Sequence, residues 1–137
     1  MQTFLPYEDF ERSLRCLDRQ RLGKQRVESF QILNILTGAT KKAGWRNHPA
    51  VRMWSGYDNA LKDYYNKNLR IWEERGYKNI KLIPYVIIGK AIAPPWLGDK
   101  EFHASHRSNL LRKNPDHYGQ FGWSEGPDLP YVWPISS

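Results

Sequence analysis

Only one stretch of this chain reads as a β-strand, and a lone strand cannot satisfy its own backbone polar groups. The stretch is the apolar run IPYVIIGKAIA within residues 79–93. No second run offers it a sheet partner, so the core is expected to be built from helices. Phe10, Leu14 and Leu17 recur at helical spacing after Pro6. Asp18 is placed to cap a second helix that ends at Gly38, with Val27, Phe30, Leu33 and Leu36 as its buried stripe. Residues 48–79 read as one long helix, with Pro49 in the first turn and Gly76 just past the end. Along it Val51, Trp54, Asp58, Leu61, Tyr65, Asn68 and Trp72 lie close to one face. A last helix runs from a cap at Asp99 to Asn114, where Pro115 stops it. The apolar residues 1–5 are expected to be docked, and the proline-rich tail to wrap the surface with Trp133 as its anchor. The expectation is an all-α, compact single domain over residues 1–137, with about three to four helices and long irregular connections.

The net charge of +7 is clustered, which favours a polyanionic partner, most commonly nucleic acid. Six tryptophans and eight tyrosines supply core bulk and stacking platforms for bases. A single cysteine, Cys16, excludes an internal disulfide and a multi-cysteine zinc site. No apolar run has the length of a membrane span and none resembles a signal peptide, so a cytoplasmic protein with no membrane partner is expected.

Three clusters of basic residues stand out. The first, DRQRLGKQR from Asp18, carries Arg19, Arg21, Lys24 and Arg26 around Gly23. A glycine inside a helix costs roughly 1 kcal/mol against alanine. Close packing of another helix or close approach of a phosphate would account for it, and the surrounding charge favours the phosphate. Glu28 is the only acid between Asp18 and Asp58, on the face of Arg21 and Lys24. Pattern alone favours a surface ion pair; a carboxylate facing a developing positive charge is the functional reading. The second cluster spans the loop 39–47, with Lys41, Lys42, Gly44 and Arg46, and then His48 and Arg52 at a helix entrance. The third is FHASHRSNLLRKNPDHYGQFGW, residues 102–123, where His103, His106, Arg107 and Leu110 share a face and Tyr118, Phe121 and Trp123 follow in an aromatic turn. His103 and His106 have ligand spacing, with Asp116 or His117 to complete a site, but Arg107 beside them disfavours a cation. No metal and no cofactor are expected. Nucleophile elbow, paired carboxylates and glycine-rich phosphate loop are all missing from the sequence. The residues themselves therefore indicate binding more clearly than catalysis.

Three blocks together resemble the pyrimidine-dimer DNA glycosylases related to phage endonuclease V. They are LDRQRLGKQRVESF at 17–30, WEERGYKNIK at 72–81, and residues 102–123 quoted above. The resemblance implies an endonuclease V-like all-α domain whose N-terminal segment threads between helices toward the centre. It implies binding to duplex DNA, kinking and flipping of a base. The implied chemistry is attack of the N-terminal α-amine on C1′ of the damaged nucleotide, base release, an imine and strand breakage by β-elimination. α-Amines suit that role because their ordinary pKa of about 8 leaves a useful neutral fraction.

Aligned without gaps, Glu28 falls on the family's catalytic glutamate and Arg21 on a basic position. Arg26 lies one residue from an expected DNA-contacting arginine, and His106 falls near a phosphate-binding arginine, with Arg107 beside it. The family exposes a small second residue, whereas Gln2 follows here, so the amine is assigned to Met1. The lead from Met1 to Leu17 is also longer. The implied site has Met1 as nucleophile and Glu28 stabilising the developing charge. Arg19, Arg21, Lys24 and Arg26 contact phosphates near the lesion, joined by Arg46, His48 and Arg52, while Arg107, Arg112 and Lys113 hold the flanking backbone. His48, His103 and His106 serve proton transfer or phosphate contact, and Tyr118 and Trp123 wall the base. Duplex DNA is the expected partner, with no obligate protein partner. A non-catalytic DNA-binding module and a histidine-based nuclease or hydrolase on the same fold are the alternatives, and composition does not separate RNA from DNA.

Overall fold

The computed structural model describes residues 1–40 and 43–134; Lys41 and Lys42 of the second basic cluster lie outside them. Six α-helices follow in order: α1 Phe10–Arg15, α2 Arg19–Leu36, α3 Pro49–Arg52, α4 Asp58–Glu74, α5 Lys100–Lys113 and α6 Pro115–Tyr118. Two 3-10 turns, Ala43–Trp45 and Gly119–Phe121, complete the regular structure, and no strand occurs among the described residues. The all-α expectation is met with more and shorter helices than the sequence suggested.

The long helix expected over residues 48–79 is two. After α3 the chain turns through Met53–Tyr57, where Gly56 takes a φ of 86° and the Trp54 side chain sinks fully into the core. Only then does α4 begin, and Gly76 ends it at a φ of 89°, as its position predicts. Asp99 caps α5 by accepting the Glu101 N–H. Asp18 stands at the N-cap of α2 but makes no capping bond; its carboxylate accepts the Tyr118 hydroxyl and pairs with Arg21 at 3.1 Å.

The α2 stripe differs from the expected one. Leu22, Gln25, Ser29, Ile32, Leu33 and Ile35 are buried, while Val27 is 41% exposed. The helix is rotated because the N-terminal segment, not α4 alone, covers it. Gly23 also has a different reason from the one its charged setting suggested. A Cβ there would stand 3.1 Å from the Trp72 ring of α4, so the glycine lets α2 and α4 close on each other. Buried residues from Phe4 to Tyr118 form one cluster, and its largest fully buried side chains are Trp54, Tyr64, Tyr65, Tyr118 and Phe102.

The apolar run after residue 79 lies extended along α4 and has no strand partner. Side chains of α4 take the partner's place. The Tyr65 hydroxyl donates to the Ile83 carbonyl, Asn66 pairs with both backbone groups of Tyr85, and Asn59 donates to the carbonyls of Ile88 and Lys90. Ile80, Ile83, Ile88 and Ile92 face outward, with Ile83 76% and Ile88 83% exposed.

Candidate active site

Residues 2–6 are buried, and the same partner problem recurs there with a tighter solution. The Thr3 hydroxyl accepts the Trp54 indole N–H, and the Phe4 N–H donates to Gln25 Oε1 at 2.8 Å. The Phe4 carbonyl accepts the Tyr64 hydroxyl. Leu5 is held at both ends, its N–H donating to His106 Nδ1 and its carbonyl accepting from His103 Nδ1. Arg107 donates to the Pro6 carbonyl. An extended segment thus threads through a helical protein, with α2, α4 and α5 supplying its backbone partners.

The thread delivers the chain's first residues to Glu28. The Gln2 N–H donates to Glu28 Oε2 at 3.3 Å, and Gln25 Nε2 donates to the same oxygen at 3.2 Å. Gln25 Oε1 in turn accepts the Tyr64 hydroxyl and the Phe4 N–H, so one glutamine ties the thread, α4 and the carboxylate together. Neither bond to Glu28 uses its Oε1. No ion pair joins Glu28 to Lys24 or Arg21, the reading that the pattern had favoured.

Met1 and Glu28 line two clefts that meet at them. The first, about 410 Å³, adds Gln31, Asn34 and Trp45. The second, about 260 Å³, adds Gln20, Arg21, Lys24, Lys113 and Tyr131, and is basic. The positions Gln20, Lys24, Glu28 and Gln31 repeat at one helical turn, so a single stripe of α2 floors both clefts. Opposite it runs a row of rings, Trp45 to His48 at 5.7 Å, His48 to Trp133 at 5.9 Å and Trp133 to Tyr131 at 5.7 Å. Burial first, and then the charge of the N-terminal amine, hold His48 below its ordinary pKa, while Glu28 pulls it upward. Its Nδ1 accepts the Ala50 N–H at the entrance of α3, so in the neutral ring Nε2 carries the proton.

The expected site residues therefore divide. Met1, Glu28, Arg21, Lys24 and Lys113 come together, with His48 in their field. Arg19 and Arg26 lie on the other face of α2, Arg19 over the Tyr77 ring and Arg26 over Trp72 with a bond to Asn79. Arg46 and Arg52 line a separate cleft of about 530 Å³ beyond the end of α2. Arg107 is engaged by Glu125 at 2.8 Å and by Pro6, and Arg112 is exposed with a bond to Asn109.

The α5 histidines are not where proton transfer or phosphate contact needs them. His103 is 5% exposed and His106 fully buried, and neither lines the clefts at Met1. Gly98 N–H donates to His103 Nε2, which fixes the proton on Nδ1 toward Leu5. His106 accepts at Nδ1, so its proton is on Nε2, a buried atom with no partner. Burial and then the charge of His103 push His106 down to about 3, and burial lowers His103 as well. Both are neutral struts for the thread. Tyr118 is likewise in the core, stacked on Trp123, whose indole donates to the Tyr7 hydroxyl. These two rings fasten the C-terminal turn to the start of the chain. Sequence reasoning missed Gln25, hidden in a basic run; its one visible signal is a place three residues before Glu28.

Among the described residues no group of three or more His, Cys, Asp or Glu side chains could hold a metal ion, and no helix is long and apolar enough to cross a membrane. Compared with known protein families, residues 1–84 match the one described as pyrimidine dimer DNA glycosylase. No curated protein and no solved structure matches the chain.

Proposed function

The chain belongs to the pyrimidine dimer DNA glycosylase family, and we propose that it excises damaged pyrimidines from duplex DNA and cleaves the resulting abasic site through an imine to the Met1 amine. The observation that carries this reading is the buried thread that ends at Glu28, with Met1 shared by two clefts. In this reading the amine nitrogen attacks C1′ and the N-glycosidic bond breaks, its electron pair leaving with the base. Glu28, anchored through Oε2, turns Oε1 toward the sugar and stabilises the positive charge that develops there. Loss of the amine protons and ring opening give the imine, and removal of a C2′ proton then expels the 3′ phosphate. Arg21, Lys24 and Lys113 hold the phosphates beside the reacting sugar, since their cleft is the basic one. The base enters the other cleft, where Trp45 offers a face for stacking.

The test is incision of a duplex carrying one cyclobutane thymine dimer. Strand breakage at the dimer that fails in Glu28→Gln supports the proposal. Tight, salt-dependent binding with no incision of dimer or abasic duplex overturns it in favour of a binding module.

A further inference from the structure

Gln25 stands behind the site rather than in it, and we propose that it is a positioning residue whose amide holds the N-terminal thread and Glu28 in one register for the reaction. The inference rests on the glycosylase reading above and adds the side chain through which that site is set. Gln25 is 1% exposed, one turn of α2 before Glu28 and beneath the basic cleft. It therefore acts through its neighbours and not on DNA.

The sense of its amide is fixed. The Phe4 N–H, which is only a donor, reaches Oε1 at 2.8 Å, and the Tyr64 hydroxyl reaches the same oxygen at 2.9 Å. Burial raises Tyr64 well above its ordinary pKa, so it stays a hydroxyl at neutral pH. Nε2 is left to face Glu28, and it donates to Oε2 at 3.2 Å. Turning the amide over would set N–H against N–H at Phe4 and oxygen against oxygen at Glu28. The same Oε2 accepts the Gln2 N–H, two residues before Phe4 on the thread. One amide thus references both the segment that carries the amine and the carboxylate assigned to the sugar. Without it, Glu28 is drawn toward Arg21 and Lys24, the cations of the cleft it shares with them.

Two substitutions separate these contacts. Gln25→Met keeps the length and removes the amide. Gln25→Glu keeps an oxygen for Phe4 and Tyr64 and sets a second one against Glu28 Oε2, where two carboxylates do not both stay charged. The new, buried carboxyl holds a proton and donates it to Glu28 as the amide does. At higher pH the pair loses that proton and the contact turns repulsive.

Single-turnover incision of a duplex with one cyclobutane thymine dimer is measured from about pH 6 to about pH 9, beside duplex affinity and melting temperature. Gln25→Met should be slower than the parent by about tenfold or more at every pH, with affinity within about twofold. Gln25→Glu should stay near the parent rate at the acid end and fall about tenfold or more behind it at the alkaline end. The Met1 amine, Arg21, Lys24, Lys113 and His48 are the other charged and titratable groups around Glu28, and with Tyr64 they are common to all three proteins and cancel in the ratio of rates. A Gln25→Met rate within about twofold of the parent, a loss confined to affinity, or a Gln25→Glu ratio that is flat across pH overturns the inference. If Gln25→Glu does not fold, Gln25→Met decides alone. A parent that incises neither the dimer nor an abasic duplex overturns the glycosylase reading and this inference with it. A parent that incises while Gln25→Met keeps its rate overturns this inference only.

Discussion

Acidification from pH 7 to pH 5 destabilises the folded protein, and His106 is the main reason. Its ring is fully buried, and burial together with His103 pushes it down to about 3 from an ordinary 6.5. The unfolded chain titrates near the ordinary value. Between the two values the unfolded chain binds a proton that the folded protein excludes. Stability from this group is therefore complete above about 6.5 and is lost as the pH falls toward 3. The slope is about 1.36 kcal/mol per pH unit, so the one and a half units from 6.5 to 5 remove about 2 kcal/mol. That is a large share of a stability of about 5–15 kcal/mol. His103, lowered in the same direction, adds to the loss. Urea unfolding followed by circular dichroism at several pH values measures it. The control is His106→Asn, whose side-chain oxygen reaches the place of Nδ1 and keeps an acceptor for the Leu5 N–H without a titrating group. The variant is less stable at pH 7, yet its loss on going to pH 5 is smaller than the parent's by about 2 kcal/mol. Equal losses in the two proteins would refute a neutral, buried His106.

The remaining predictions concern α2. Glu28→Gln keeps an acceptor for Gln2 but removes the charge, and should lower the incision rate by about 10²–10³ with little change in melting temperature. Gly23→Val drives a branched side chain into the Trp72 ring and should cost about 1–3 kcal/mol in urea unfolding; unchanged stability with weakened DNA binding would restore the phosphate explanation of this glycine. Lys24→Ala should lower the slope of log affinity against log salt by about one, as loss of a phosphate contact does. Arg26→Ala should leave that slope unchanged and instead reduce stability by about 1 kcal/mol, through lost stacking on Trp72 and the lost bond to Asn79.

The helix class was legible because a single apolar run cannot make a sheet, and the caps at Asp99 and Gly76 sat where their chemistry requires. The break at Gly56 was not, because the apolar period continues through Trp54 on both sides of it. Glu28 stood out as the lone acid in a basic stretch, and the family resemblance gave it a role. What escaped was everything that depends on the thread. A histidine on a basic helix face looks like a phosphate contact until Leu5, about a hundred residues away in sequence, is seen to occupy it. Arg26 and Lys24 are indistinguishable by composition, and only the position of Trp72 separates the packed one from the one that lines the cleft. Gln25 was invisible for the same reason: a glutamine amid arginines reads as surface, and its burial follows from the segment laid across α2.

The most direct test of the account is where the covalent bond forms. Borohydride reduction of the protein on a duplex with one abasic site, followed by peptide mass spectrometry, locates it. The account predicts a reduced adduct on the α-amine of Met1 in the N-terminal peptide. An adduct on Lys24 or another lysine, or none at all, would contradict it.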